Sequence, residues 1–139
     1  MTLIGHLHPV LVHFPIALVI VASVAEAAAI VSGDERWRTL AIGNLRAGAA
    51  FALAAALAGW YFAAGLGTDT APLLEWHRWL GTVAAVMTLA GAFAASSAPR
   101  RSPRELLVYR AALLTAGMVV AVAAHLGALL VWGADFLHP

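Results

Sequence analysis

Cysteine and lysine are both absent from the 139 residues. Without cysteine there is no disulfide framework, no thiolate metal site and no covalent c-type haem attachment through Cys-x-x-Cys-His. Any metal must therefore be held by histidine, carboxylate or backbone. Charge is scarce as well: charged residues make up 11% of the chain, hydrophobic residues 63%, and the net charge is +1. A mean hydropathy of +0.88 is too high for a soluble domain of this length, which needs a far more polar surface. Composition thus predicts an integral membrane protein. No phosphate-binding loop, nucleophile–base set or carboxylate pair is visible; Asp69 and Glu75 fall in a polar link and read as solvated.

What is present is a series of four apolar segments joined by short polar links. They run over about 10–31, 40–65, 73–95 and 105–132, each long enough for the roughly 20 helical residues that cross a bilayer. The links carry the breakers: Ser32 to Arg38, then Gly65-Leu66-Gly67-Thr68-Asp69-Thr70-Ala71-Pro72, then Ser96 to Arg104. Pro72 and Pro103 stand where proline is tolerated, at helix starts. Links this short make successive helices antiparallel neighbours. The expected fold is all-α: one transmembrane domain over 1–139, an antiparallel four-helix bundle. The first segment lacks the basic start of a signal peptide and is too long for one, so it is expected to stay as a spanning helix, despite Ala25-Glu26-Ala27 resembling a cleavage site.

Arginine sets the expected orientation. Arg36, Arg38 and Arg46 flank the first link and Arg100, Arg101, Arg104 and Arg110 the third, with only Arg78 on the other side. The positive-inside rule then puts those links in the cytoplasm and both termini outside. Trp60, Tyr61, Trp76, Trp79 and Trp132 would sit near the outer interface, Trp37 and Tyr109 near the inner one. The basic third link needs no nucleic acid to explain it; topology and anionic lipid suffice.

In that topology all six histidines fall in the outer half. His6, His8 and His13 open the first helix, His77 opens the third, and the fourth carries His125 and, beyond it, His138. At about 1.5 Å per residue, His13 lies about 6 Å past Pro9, His77 about 7 to 8 Å past Pro72, and His125 roughly 10 Å short of Trp132. Three ionisable groups at similar depth on three helices mark a functional site, because each needs a partner or ligand to offset its cost. On the third helix His77 shares a face with Gly81, Ala84, Ala85, Thr88, Gly91, Ala92 and Ala95; on the fourth His125 shares one with Gly117, Ala121 and Ala128. Gly48, Ala52, Ala55, Ala56 and Gly59 line a similar seam on the second. Small seams pack membrane helices closely and, beside a histidine, leave room for a flat ligand. Pro15 removes a backbone donor two residues after His13, and a kink there would re-aim that ring. Glu26 and Arg46, in the inner half, read as an inner-leaflet ion pair or as snorkelling side chains rather than a proton path.

The run His8-Pro9-x-x-Val12-His13-Phe14-Pro15-Ile16-Ala17-Leu18, with Ala58-Gly59-Trp60, the His77 that opens the third helix and His125-Leu126-Gly127, resembles the bacterial membrane family called domain of unknown function 2231. The likeness covers nearly the whole chain, and its first motif is the specific one. It implies four spanning helices in a bacterial inner membrane and, where family members are joined to c-type cytochrome modules, a link to electron transfer.

For a thiol-free cluster of histidines between apolar helices, haem b is the best-suited ligand. Neutral imidazoles make axial ligands, small residues make the slot, and Arg78 could pair with the propionates at the outer surface. Depth makes His13 with His77 the first axial pair and His13 with His125 the next. Such a protein would pass electrons between a quinol in the bilayer and an outer-side partner such as a c-type cytochrome, alone or as an oligomer. One alternative is a bare zinc, copper or iron ion on His8, His13, His77 and His125. Another is a structural subunit of a larger membrane complex that binds no cofactor.

Overall fold

The computed structural model describes residues 6–65, 72–95 and 102–137. His138, Asp69 and the centres of the second and third links lie outside them. Every long element is helical: α1 (His8–Leu11), α2 (His13–Ser32), α3 (Glu35–Ala64), α4 (Pro72–Ala94) and α5 (Pro103–Trp132), with a short 3-10 turn at Ala134–Leu137. Three spans are long and apolar enough to cross a membrane, His8–Ser32, Glu35–Ala64 and Pro103–Trp132. In α4, Glu75, His77 and Arg78 dilute the apolar run at its start, which lies at the end of the bundle shared with His8 and Trp132; that end is called outer and the other inner, after the expected orientation.

The first link is tighter than the sequence suggested. Ser32 ends α2 and Glu35 begins α3, so Trp37 and Arg38 are helical, about one and a half turns earlier than the expected start near residue 40. The cause is local. Gly33 adopts φ 71° to cap α2, and the Asp34 side chain accepts a 2.9 Å bond from the Arg36 amide to cap α3. At the third link Ser102 and Glu105 form a reciprocal capping box ahead of α5. Near its outer end Pro15 cannot donate to the Leu11 carbonyl, yet Val12 keeps helical angles, its amide donating to the His8 carbonyl at 3.0 Å and its carbonyl accepting from Ile16 at 3.3 Å, so α1 leads directly into α2.

The four long helices pack in a ring, α2 on α3 and α5, α4 on α3 and α5, with α1 against α3. This is the expected four-helix bundle. Its interior has three levels. At the inner end Ala22, Leu45, Ala95, Tyr109 and Leu113 form one buried cluster; above it Val19, Ala84, Ala116 and Val120 form a second. The outer level holds histidines instead. Bulky apolar side chains such as Val24, Val31, Phe93, Leu107 and Met118 cover the outside, the surface that a lipid solvent favours and water does not.

Small residues do bring helices together at mid-depth. A Cβ on Gly48 would lie 3.0 Å from Val19 Cγ2, and one on Gly117 would lie 2.6 Å from the Ser23 hydroxyl, so the Val19 and Ser23 side chains of α2 rest directly against α3 and α5 at these glycines. The Ser23 hydroxyl itself donates to the Val19 carbonyl at 2.9 Å.

Candidate functional site: a histidine pair at the outer end

Turning by 3.6 residues, the buried face of the first span carries Pro15, Val19, Ala22, Ala25, Glu26 and Ala29. His8 lies on the upward extension of that face and His13 on the opposite one. Accordingly His8 is half-buried and His13 exposed. On α5 the buried face is Tyr109, Leu113, Ala116, Val120 and Ala123. His125 is exposed, as are Ala121 and Ala128 of the seam expected beside it. The seams expected on α3 and α4 do face inward, through Gly48, Ala52 and Ala55 and through Ala84, Ala85, Thr88 and Gly91.

The bundle therefore brings together His8 and His77. Their ring centres are 6.2 Å apart and their planes 75° from parallel. His8 Nδ1 lies 2.8 Å from the Ala55 carbonyl oxygen and His77 Nδ1 3.0 Å from that of Ala123. A carbonyl only accepts, so each Nδ1 is the protonated donor, and in a neutral ring the lone pair is then on Nε2. Such a second-sphere bond fixes the tautomer and ring orientation of a metal-binding histidine.

Glycine makes the fit possible. A Cβ on Gly59 would stand 2.8 Å from His8 Cε1, and one on Gly127 would stand 2.9 Å from His77 Cε1. Both glycines lie one helical turn beyond the carbonyl that holds the ring. The two halves of the site repeat one another: a shift of 69 residues carries His8 onto His77, and a shift of 68 carries Ala55 onto Ala123 and Gly59 onto Gly127. The same shifts carry buried Val19 onto buried Thr88 and buried Leu45 onto buried Leu113. The hairpins α1–α2–α3 and α4–α5 are thus two copies of one design, each supplying a histidine, a carbonyl and a glycine, related by an axis along the bundle. His8 was a metal candidate only in the sequence reading; this repeated spacing, and the face that His8 shares with Val19 and Ala22, are the signals that mark it.

Aromatic and cationic groups rim the pair. Phe62 stacks at 6.5 Å on His8 and meets His6 edge-on at 6.1 Å. The Arg78 guanidinium lies 3.9 Å over the Trp60 ring, Trp60 donates at 3.0 Å to the Thr82 hydroxyl, and Trp79 meets Trp60 edge-on. Arg78 Nε is buried and has no hydrogen-bond partner among the described residues. A half-buried cation with a spare donor beside His77 suits an anionic group such as a carboxylate.

Among the described residues, no three His, Asp or Glu side chains are grouped to hold a metal ion. His13 and His125 lie on the far faces of their helices from His8 and His77, so the four-nitrogen set of the bare-metal reading is not assembled in one copy.

At the inner end Glu26 is fully buried, and one oxygen, Oε1, accepts from Arg38 Nε at 3.2 Å and Arg110 Nε at 2.9 Å. The partners are thus Arg38 and Arg110 rather than Arg46, which is exposed on α3. Arg38 also bridges to Glu35. Arg110 comes from 84 positions along the chain, beyond the reach of a helical count on neighbouring segments.

Residues 5–136 match a family described as predicted membrane protein (DUF2231). No curated protein and no solved structure matches the chain.

Proposed function

This chain belongs to the DUF2231 family of predicted membrane proteins, and from that membrane setting and its paired histidines we propose that it is a b-type cytochrome of the bacterial inner membrane. Haem b would be held between His8 and His77 in the outer half of the bundle. The observation that carries the reading is the double anchoring: both imidazoles give their Nδ1 proton to a backbone carbonyl and keep Nε2 free to ligate. Their spacing agrees, since two imidazoles bound through Nε2 at about 2 Å on either side of one metal bring their ring centres to about 6 Å. His8 with His77 thus replaces His13 with His77, or with His125, as the axial pair.

The chain's own groups do the remaining work. Arg78, with its spare buried donor, would pair with a propionate, and Phe62, Trp60 and Trp79 would shield the outer mouth. Low-spin bis-histidine haem supplies reversible one-electron transfer. A quinol dissolved in the bilayer would be the donor and an outer-side redox protein, such as a c-type cytochrome, the acceptor.

A reduced-minus-oxidised spectrum of the purified protein, made with ample haem supply, tests this. A sharp b-type band with one haem per chain is expected. Absence of the band sinks the proposal; stoichiometric zinc, copper or iron without haem would favour a bare ion, and neither would favour a packing subunit.

A further inference from the structure

On the outside of α3, at the inner end of the bundle, lies a groove of about 470 Å³ lined by Arg36, Thr39, Leu40, Gly43, Asn44 and Ala47. Spaced by three and four residues, these positions form one face of the helix. That face turns away from the bundle, with all of them exposed except Asn44, which is half-buried. Gly43 makes the notch: the space where its side chain would stand is open, with no atom within 4 Å of a Cβ.

The mouth of the groove carries an unmatched cation. Both neighbouring carboxylates are engaged elsewhere, since Asp34 accepts from the Arg36 backbone amide at 2.9 Å and Glu35 bridges to Arg38. The Arg36 guanidinium therefore has no acidic partner among the described residues. Deeper in, the Asn44 amide gives one of its two protons to the Leu40 carbonyl at 2.9 Å and keeps the other. Along the groove a cation is thus followed by a hydroxyl, an amide donor and a strip of glycine and alanine. A phospholipid presents its phosphate, glycerol esters and acyl chain in the same order.

The internal repeat separates what is general here from what is particular. A shift of 68 carries Arg36 onto Arg104, so both hairpins place an arginine at the inner start of their second helix, as topology requires. The other features are not repeated: Thr39, Gly43 and Asn44 fall on Leu107, Ala111 and Ala112. The groove and its donors belong to α3 alone. A second copy of the chain could also cover a face with small residues, but charge opposes it. Copies in one bilayer share an orientation, so a two-fold contact through this groove would set Arg36 against Arg36 with no carboxylate free between them.

We propose that this groove binds one anionic phospholipid of the inner leaflet, with its phosphate on Arg36, an ester carbonyl on the second Asn44 proton and an acyl chain along Gly43 and Ala47. The site stands at the opposite end of the bundle from the histidine pair and is independent of the haem reading.

The probe is dioctanoyl phosphatidylglycerol, added to delipidated protein in mild detergent and counted by native mass spectrometry, with dioctanoyl phosphatidylcholine as the control of zero net charge. One phosphatidylglycerol per chain is expected, bound about tenfold more tightly than phosphatidylcholine. Arg36→Gln, which removes the cation, and Gly43→Leu, which fills the notch, should each weaken it by about tenfold. Arg104→Gln makes the same change of charge at the equivalent exposed position of α5 and should leave binding unchanged. Equal weakening by Arg36→Gln and Arg104→Gln would reveal attraction to overall charge and overturn the site. A silent Gly43→Leu, equal affinity for the two lipids, or a dimer in place of the lipid-bound monomer overturns it as well. Should Gly43→Leu fail to fold, Asn44→Ala takes its place, and unchanged binding in that variant and in Arg36→Gln has the same force.

Discussion

His8 and His77, 69 positions apart in the chain, meet at 6.2 Å across the outer end of the bundle, each with its Nδ1 held by a carbonyl of the adjacent helix. Each hydrogen bond forms within one hairpin, and only the packing of the two hairpins against one another brings the held rings to this distance. The pair is therefore a product of the whole fold.

Each of these two histidines should be indispensable to the cofactor. His8→Ala and His77→Ala are each expected to abolish the low-spin bis-histidine spectrum, whereas His13→Ala and His125→Ala, on exposed faces, should leave it in place. Loss of the spectrum in His13→Ala or His125→Ala with the His8 variant silent would show that the axial pair is another one.

The glycines give an independent test. Adding one carbon at Gly59 or Gly127 puts it 2.8 or 2.9 Å from an imidazole carbon, so the ring or the helix must move. Overpacking of this kind costs about 1–3 kcal/mol. Gly59→Ala and Gly127→Ala should each lower thermal stability in detergent and weaken haem retention by similar amounts, as their equivalence in the repeat requires. Gly43→Ala, with open space around its Cβ position, should do neither.

The inner cluster should matter to stability before it matters to the spectrum. Glu26→Ala removes the shared acceptor of Arg38 and Arg110; breaking a buried pair costs several kcal/mol, reduced here to about 1–3 kcal/mol because both arginines reach solvent. Glu26→Gln keeps one acceptor oxygen and should lose less, with the spectrum nearly unchanged. Both values follow from denaturant or thermal titration. A Glu26→Gln protein that retains haem and full stability but loses electron transfer would point to proton movement through this residue.

Topology is open to direct measurement. With seven of eight arginines around the first and third links, a reporter fused after Pro139 or inserted at Thr68 should face outward, and one at Gly33 should face the cytoplasm. The opposite labelling would move the histidine pair to the inner side and put the proposed protein acceptor there as well.

The helix starts make a smaller claim. Ser102 closes a capping box with Glu105, so Ser102→Ala should cost about 1 kcal/mol in unfolding experiments without any change in cofactor content.

Much of this was readable from the residues in order, because the signals are local. Apolar runs of spanning length, breakers between them and arginine bias depend only on neighbours along the chain, and they predict a membrane-spanning all-α bundle with its histidines at one end. The inward seams of α3 and α4 follow from the 3.6-residue period in the same way.

Which histidine faces inward was decided by tertiary structure. Depth alone matched His13 to His77 and His125, but depth says nothing of rotation about the helix axis, and that angle is set by packing: Val19, Ala22 and Glu26 turn inward, carrying His8 towards the core and His13 away from it. Helical backbone through Val12 carries that face on to His8, which meets Ala55 and Gly59. Likewise the charge on Glu26 was evident, but its partner Arg110 lies 84 residues away, and only the closing of α5 against α2 brings the two into contact. Composition and periodicity along one segment determine what enters the membrane and at what height; the mutual rotation of segments, which determines what touches, is a property of the assembled interior.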